Sequence, residues 1–248
     1  MIGWRLGSVA GAIAIWWLIS LAMPSNLLPD PWVATVTLAK DLADGDVVPH
    51  LIITLLRVVG GLSIAMAIGV PVGILMGVNE RAEKVLDIWV MVGLTVPSLC
   101  YAIICFILVG LNEAATMLAI GLTAAPSVAI NLWEGVKTID FKLVEMARIF
   151  EAGRARILAR VLLPQVLPFI MASVRMGLGI VWKIAVLVEL IGRPNGVGFK
   201  LFYWYQLADM AQVLAWTLLF TLIMLAIELG ILKQVEQRLF GWRPRVGL

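Results

Sequence analysis

The sequence predicts an all-α membrane protein with about six transmembrane helices. Of its 248 residues, 62% are hydrophobic and 14% are charged, and the mean hydropathy is +1.00. Soluble domains are about 45–50% apolar and about 25% charged. The apolar residues are gathered in long blocks, and a helix needs about 20 apolar residues to cross the hydrocarbon core. Because the blocks are continuous rather than alternating, helices are favoured over a β-barrel.

The blocks are predicted to form a single transmembrane domain over residues 1–248. The first block contains Ser20 and Ala22, a small-residue pattern that signal peptidases cleave, so loss of residues 1–22 is one alternative. Its long apolar stretch and Trp16 and Trp17 favour a retained helix. The predicted spans are about 6–25, 51–77, 86–110, 114–134, 165–191 and 209–232, with a cytoplasmic loop at 135–164.

The distribution of lysine and arginine predicts the orientation of these spans. With six spans the connecting segments alternate between the two sides, and the outward side holds only Lys40, Arg193 and Lys200. The positive-inside rule places the richer side, with both termini, in the cytoplasm. That side holds Arg5, Arg81, Lys84, Lys137, Lys142, Arg148, Arg154, Arg156, Arg160, Lys233, Arg238, Arg243 and Arg245.

Two outward segments have a pattern of their own. Residues 31–43 carry apolar side chains at helical spacing, which predicts an amphipathic helix at the membrane surface. Residues 199–205 are rich in Phe, Tyr and Trp. This aromatic cluster suits a membrane-interface belt, and a surface on which a partner docks is the alternative.

Small residues and prolines are expected to set the helix packing. The second span has a small residue at every fourth position, which makes one face on which another helix backbone can approach closely. Pro71, Pro97 and Pro126 each lie within a different predicted span, where proline kinks a helix. The small residues are Gly61, Ala65, Gly69, Gly73 and Gly77.

Several classes of protein are excluded or disfavoured. Cys100 and Cys105 lie in one apolar run and favour packed thiols, and a single histidine, His50, leaves no metal-ligand set. The chain has no G-x-x-x-x-G-K-[ST] phosphate-binding loop. We therefore expect no cofactor and no metal site, and we do not expect this chain to be an enzyme.

The cytoplasmic loop predicts two short amphipathic helices. Asp140 is a suitable N-cap, and Leu143, Ala147 and Phe150 form an apolar stripe after it. Ala152-Gly153 offers a break, and a second stripe begins at Ile157. One interpretation is a hairpin on anionic lipid headgroups, and the other is a docking element for a cytosolic protein.

This loop resembles that of the permease subunits of bacterial ABC importers, in which E-A-A-x-x-x-G is followed by nine residues and I-x-L-P. Here Glu145-Met146-Ala147 begins the motif and Leu163-Pro164 ends it, with the same spacing of 19 residues from Glu to Pro. Glu151 stands at the family's glycine position, and Gly153 lies two residues later. The resemblance implies that Glu145, Ala147, Glu151, Gly153, Leu163 and Pro164 belong to an ATPase-coupling loop.

The resemblance extends over nearly the whole chain and is closest to the nitrate, taurine and sulfonate subfamily. It implies a type I ABC importer permease fold in a bacterial inner membrane, a homodimer, two cytosolic ATP-binding subunits, and a periplasmic or lipid-anchored solute-binding protein. The implied substrate is a small anion such as nitrate, a sulfonate, bicarbonate or an organic acid. The matching stretches are 28–31, 54–57, 60–61, 95–98, 172–175, Trp182, 188–190 and 196–198.

Three alternatives stay open at this point. A stand-alone secondary transporter would show related halves with charges at matching positions, and no such repeat is present. A structural subunit without its own path is the second, and import of a vitamin precursor by the same ABC mechanism is the third. Binding data on the solute-binding protein would best define the substrate.

Four charged residues within the spans are candidates for the translocation path: Arg57, Arg175, Lys183 and Glu189. A charge at the centre of a membrane helix costs about 2.5–3.5 kcal/mol on insertion scales, so each is expected to face protein or water. One interpretation pairs Arg57 with Glu189 as a structural ion pair. The other leaves Lys183 or Arg175 unpaired beside the path, where a cation attracts an anionic solute.

Overall fold

The computed structural model describes residues 2–239, and every regular element in that range is a helix, which confirms the all-α prediction. Two stretches are π-helices, in which backbone hydrogen bonds join residues five apart. The α-helices are α1 Ile2–Ala22, α2 Pro31–Ala43, α3 Val47–Val78, α4 Glu80–Thr95, α5 Ser98–Val109, α6 Glu113–Lys137, α7 Phe141–Ile149, α8 Arg154–Ile157, α9 Leu163–Gly192, α10 Val197–Gln206, α11 Met210–Ala226 and α12 Lys233–Leu239; the π-helices are Leu158–Leu162 and Ile227–Leu232.

Four continuous helical stretches are long and apolar enough to cross a membrane: Val47–Val78, Glu113–Lys137, Arg154–Gly192 and Met210–Arg238. The pair α4 and α5 passes the same test when taken together. Within the first block the apolar helix is Gly7–Ala22, which is shorter than the others. The four or five candidates agree with the predicted blocks from the second onward, and a sixth span in α1 stays a prediction.

Within the predicted span at 86–110 the helix is broken at Pro97, one of the three prolines at which the sequence predicts a kink. α4 ends at Thr95, α5 begins at Ser98, and the two axes are bent by 96°. Val96, the residue before Pro97, is extended with φ −67° and ψ 123°, because a proline disfavours the helical conformation of its predecessor. Across the bend, the Tyr101 hydroxyl donates to the Gly93 carbonyl at 3.0 Å.

The other two prolines behave differently. Pro71 lies inside α3 and Pro126 lies inside α6, and both helices are continuous through them. Only at Pro97, of the three prolines singled out in the sequence, does the helix end.

The chain divides into two compact units, which are described separately. Unit 1 comprises the residues up to Leu55 together with Glu189–Ile227, and unit 2 comprises Leu56–Val188 together with the residues from Glu228 onward.

Unit 1 is built around an apolar core shared by α2, the start of α3, α10 and α11. α2 is the predicted amphipathic helix with the predicted bounds, and it begins where the Asp30 carboxylate accepts the N–H of Val33 at 2.8 Å. Trp216 is the largest fully buried side chain in this core. The other buried members are Leu38, Val47, Val197, Ala215 and Leu219.

Unit 2 contains the row of small residues on α3, and this row faces α6. A Cβ placed on Gly69 would lie 2.7 Å from the Ala125 carbonyl oxygen and 2.7 Å from Val128 Cβ. Contacts this short exist only because glycine has no side chain, so the two backbones pack directly against each other. A Cβ placed on Gly61, Gly73 or Gly77 would also overlap atoms of α6, and Ala65 is fully buried.

We predict that Gly69→Ala lowers the stability of the subunit. The added methyl overlaps α6, and overpacking of this kind typically costs about 1–3 kcal/mol. The matched control is Gly179→Ala in α9, where a Cβ meets nothing within 4 Å. Because alanine favours a helix interior over glycine, the control is expected to be neutral or stabilising. Thermal unfolding of the purified subunits measures both, and equal midpoints would contradict the close contact.

Candidate functional site

The first helix of the cytoplasmic loop is α7, and its beginning agrees with the sequence prediction. The Asp140 carboxylate accepts the N–H of Lys142 at 2.9 Å and caps the helix. The Asp140 N–H donates to Gln165 Oε1 at 3.0 Å, which ties the start of α7 to the start of α9. Glu145 is exposed, Ala147 is half-buried and Val144 is the buried residue of this helix.

The tip of α7 leaves large apolar side chains uncovered. Ile149 is 80% exposed and Phe150 is 77% exposed, and Leu143 is exposed as well. Of the predicted stripe, Leu143 and Phe150 are therefore uncovered by the described part of this chain, and Ala147 is half-buried. An exposed apolar tip beside charged residues is typical of a surface that binds another molecule.

The turn after α7 is centred on Glu151, which has φ +54°. The Glu151 N–H donates to the Arg148 carbonyl at 2.9 Å and the Ala152 N–H donates to the Ala147 carbonyl at 3.0 Å. This pair of bonds is a Schellman motif, whose left-handed position is usually glycine. Gly153 has φ −62° and is the N-cap of α8. It therefore does not occupy the left-handed position at which this motif usually has glycine.

The second helix of the loop is short and distorted. α8 covers Arg154–Ile157 and continues into the π-helix Leu158–Leu162, after which α9 begins at Leu163 with Pro164 next. Proline has no N–H to give to the carbonyl four residues earlier, so a regular α-helical ladder cannot run through this point. Ile157 is buried, whereas Leu158 is exposed, and the second predicted stripe is therefore only partly packed.

Arg57 is fully buried and forms two hydrogen bonds to one carboxylate. Its Nε lies 2.8 Å from Glu113 Oε2 and its Nη2 lies 2.8 Å from Glu113 Oε1. Glu113 is the first residue of α6, where the helix dipole also favours a negative charge. A two-point arginine–carboxylate pair fixes geometry as well as charge, so Arg57 holds the start of α6 to α3. The predicted pair of Arg57 with Glu189 stays a prediction.

Arg175 is shared by two carboxylates of the last helical stretch. Its Nε lies 2.8 Å from Glu228 Oε1, and its Nη2 lies 3.0 Å from Glu236 Oε2. A cavity of about 470 Å³ adjoins this cluster and is lined by Arg175, Glu236 and apolar residues that include Met171 and Met176. Two carboxylates beside one guanidinium leave no excess positive charge at this place.

Lys183 differs from the other three candidates. It lies on an exposed face of α9, and among the described residues it has no ion pair and no hydrogen bond. The same face carries Ala172, Arg175 and Gly179, at helical spacing. Gly179 has nothing within 4 Å of the place where a Cβ would stand, so the described residues leave the face of α9 open at this position, next to Lys183.

Glu189 lies in unit 1 and is fully buried. Its Oε2 accepts the N–H of Gly198 at 2.8 Å, and the Thr54 hydroxyl lies 2.8 and 2.9 Å from its two oxygens. The same hydroxyl accepts the N–H of Val197 at 2.9 Å, and His50 Nδ1 accepts the N–H of Gly196 at 3.0 Å.

Three successive backbone N–H groups at the start of α10 are thus bound by three side chains. We call this arrangement the α10 cap: the side chains of His50, Thr54 and Glu189 with the N–H groups of 196–198. Helix starts leave such N–H groups without partners inside the helix, and the positive end of the helix dipole favours the carboxylate. Gly196 has φ +108°, and a Cβ there would overlap the Glu189 carboxyl group, so only glycine fits.

Sequence reasoning missed several of these residues. His50 was considered only as a metal ligand, and Glu113 and Glu236 were not singled out. A signal for Glu113 did exist, because Asn112 is a helix cap and an acidic residue often follows one. The contacts of Glu236 and His50 join residues more than 60 positions apart, and one sequence contains no such signal.

Comparison with known protein families identifies the family of this chain. Residues 69–240 match the family described as "Binding-protein-dependent transport system inner membrane component". The chain belongs to this family. It is 31% identical to the putative aliphatic sulfonates transport permease protein SsuC of Bacillus subtilis over 245 residues, covering 97% of this chain and 88% of that protein. It is also 31% identical to the taurine transport system permease protein TauC of Escherichia coli, covering 97% and 90%.

A solved structure supports the fold. An inward-facing form of the MetNI methionine ABC transporter matches with a TM-score of 0.61 and 21% identity, over 76% of this chain and 95% of the matched chain. This likeness shows that the chain has the fold of the membrane component of an ABC importer. The predicted resemblance, fold class and general transport function are confirmed. The family match favours them over a stand-alone secondary transporter.

We predict that Glu151→Gly stabilises the subunit. A left-handed conformation costs a residue with a side chain about 1–2 kcal/mol, and glycine adopts it freely. A gain of about 1 kcal/mol raises the Tm of a chain of this size by about 2–4 °C. The control is Glu151→Ala, which removes the carboxylate but keeps the strain. If both variants shift the Tm equally, the effect comes from the charge and not from the backbone.

Proposed function

We propose that this chain forms the translocation path of an ATP-driven importer for a small anionic solute. The observation that carries the proposal is Lys183, a membrane cation without a partner among the described residues, on the open face of α9. Facing lipid, such a charge would cost about 2.5–3.5 kcal/mol on insertion scales. A water-filled path lined by this face of α9 removes that cost and gives the charge a role.

The charges on α9 support an anion at Lys183 rather than at Arg175. Arg175 is balanced by Glu228 and Glu236, and a third negative group beside them would be repelled. Lys183 lies eight residues further along the helix, about 12 Å away by the rise of an α-helix. An anion entering the path therefore meets one uncompensated cation on this helix. Aliphatic sulfonates and taurine, named for the relatives, both contain a sulfonate group, which carries the matching charge.

The proposed assembly follows from surfaces that the chain leaves uncovered. The exposed apolar tip of α7, with Glu145 beside it, suits a groove on each of two cytosolic ATPase subunits. The open face of α9 suits a path closed by a second copy of the chain. An extracytoplasmic solute-binding protein would dock on the outward segments, with both termini in the cytoplasm as the basic residues predict.

We predict that Lys183→Met lowers uptake without harming assembly. Removing the charge removes the attraction for an anion, and the uptake kcat/KM should fall by at least about tenfold. Lys183→Arg keeps the charge and is expected to retain most of the uptake. The measurement is uptake into proteoliposomes, with basal ATPase activity as the control for assembly. Undiminished uptake by Lys183→Met would remove Lys183 from the path.

We predict that Glu145→Lys weakens the association with the ATPase subunit. The side chain is exposed on α7, so the substitution leaves folding intact and changes only the surface that the ATPase would meet. Glu145→Gln keeps the size and removes the charge, and its effect should be intermediate. Copurification and solute-stimulated ATP hydrolysis measure the result. Normal stimulation in Glu145→Lys would contradict the proposed coupling role of α7.

The general proposal is tested by purifying the untagged permease with a tagged ATPase subunit. Copurification and ATP-dependent uptake are expected. A permease that never travels with an ATPase and transports without ATP would overturn the proposal. Binding assays on the partner binding protein then separate anionic solutes from vitamin precursors.

A further inference from the structure

The α10 cap contains one side chain whose ordinary titration falls between pH 5 and 8, the imidazole of His50. Of the other two side chains, the threonine hydroxyl does not titrate there, and the Glu189 carboxyl group accepts the N–H of Gly198. His50 is also the only histidine in the sequence. Replacing His50 by a side chain that does not titrate therefore separates its contribution from that of Glu189.

The hydrogen bond from Gly196 defines the protonation state of His50. A backbone N–H can only donate, so Nδ1, which lies 3.0 Å from the Gly196 nitrogen, must be unprotonated. The ring proton is then on Nε2, which lies 3.7 Å from Asp46 Oδ1. A second proton would bind to Nδ1, and two N–H groups would face each other across 3.0 Å. The ring and the Gly196 backbone cannot keep this arrangement.

From this geometry we propose that protonation of His50 releases the Gly196 N–H from the start of α3 and loosens the 193–196 connection before α10. The capped form cannot hold the second proton, whereas the released form can, so acid pH favours release and higher pH favours the cap. Glu189 and Thr54 keep their bonds to Gly198 and Val197. Release therefore loosens the segment before α10 without unfolding α10.

The surroundings of His50 support a proton-dependent change. Directly before its own helix, Asp46 lies beside Nε2 and offers the imidazolium a partner that persists after release. On α10, Lys200 is bound to the same Asp46 carboxylate and disfavours a further positive charge, and Phe199 stacks on the ring at 6.2 Å. On α11 the neighbour is the uncharged Trp216, whose ring is 6.0 Å away. On α9, the Glu189 carboxylate reaches the same cap through Thr54.

The consequence concerns the outward side of the proposed importer. The segment 193–196 joins α9 to α10, and α10 carries the aromatic cluster at 199–205. Loosening this connection removes the His50 bond by which α3 holds the start of α10, while the bond of Thr54 to Val197 stays. In acid, a solute-binding protein would meet a less ordered docking surface. This last step depends on the proposed function, whereas the release itself does not.

Hydrogen–deuterium exchange of the full-length subunit in nanodiscs tests the release. After correction for intrinsic exchange, we expect the protection of the Gly196 N–H to fall about five- to tenfold between pH 8 and pH 5.5, the effect of losing one hydrogen bond. The internal control is the Ala115 N–H, because its acceptor, Asn112, does not titrate. Unchanged protection of Gly196 across this range would overturn the proposal.

His50→Asn is the decisive variant, because an asparagine Oδ1 takes the place of Nδ1 as an acceptor and does not titrate. Its protection should stay high at both pH values. His50→Leu has no acceptor and should be poorly protected at both. A pH-dependent loss of the same size in His50→Asn would assign the effect to another group and overturn the proposal.

Asp46→Asn provides a second measurement that does not depend on replacing His50. Without the carboxylate beside Nε2, the imidazolium is less favoured, so the loss of protection should move to lower pH. An unchanged midpoint in this variant would contradict the arrangement around His50. Uptake measured at pH 5.5 and pH 8 then reports separately on the importer function, since exchange can change while uptake does not.

Discussion

A polar group placed among apolar helices must find its partner within the protein, and this constraint explains most of the specific contacts in the chain. Unsatisfied groups in a membrane cost several kcal/mol each. Arg57 is matched by the two oxygens of Glu113 at the start of α6. The free N–H groups at the start of α10 are matched by His50, Thr54 and Glu189. In both cases a helix terminus and a side chain from another helix satisfy each other.

The same constraint distinguishes charges that have partners among the described residues from a charge that has none. Arg57, Arg175 and Glu189 have several close polar contacts, so removing any of them leaves a partner exposed to an apolar environment. Lys183 has no such contact among the described residues. A charge that stabilises nothing in the chain is retained at a cost unless water, solute or another subunit meets it. This difference, rather than position along the helix, makes Lys183 the candidate for solute contact.

Hydropathy and local signals predicted much of the fold, and long-range pairing was beyond them. The helical blocks, the bounds of α2 and the cap at Asp140 each depend on residues close in sequence, and all three agree with the structure. The sequence predicts a kink at Pro97 within the span at 86–110, but hydropathy averages over this proline and does not predict a bend as large as 96°. The partners of Arg57 and Arg175 lie more than 50 residues away, and several carboxylates were equally plausible from one sequence.

Glu151 stands where the family pattern has glycine, and the backbone turn is nevertheless the one that glycine would make. Its left-handed conformation reproduces the turn that glycine would make, and Ala208 does the same between α10 and α11, with N–H groups of 208 and 209 bonded at 3.0 Å to the carbonyls of Tyr205 and Trp204. A residue with a side chain has fewer alternative conformations than glycine. The turn at Glu151 is therefore strained, and it is stiffer than a turn with glycine at this position would be. If α7 docks on an ATPase subunit as proposed, a stiff turn passes displacement on to α9 that a glycine turn would absorb.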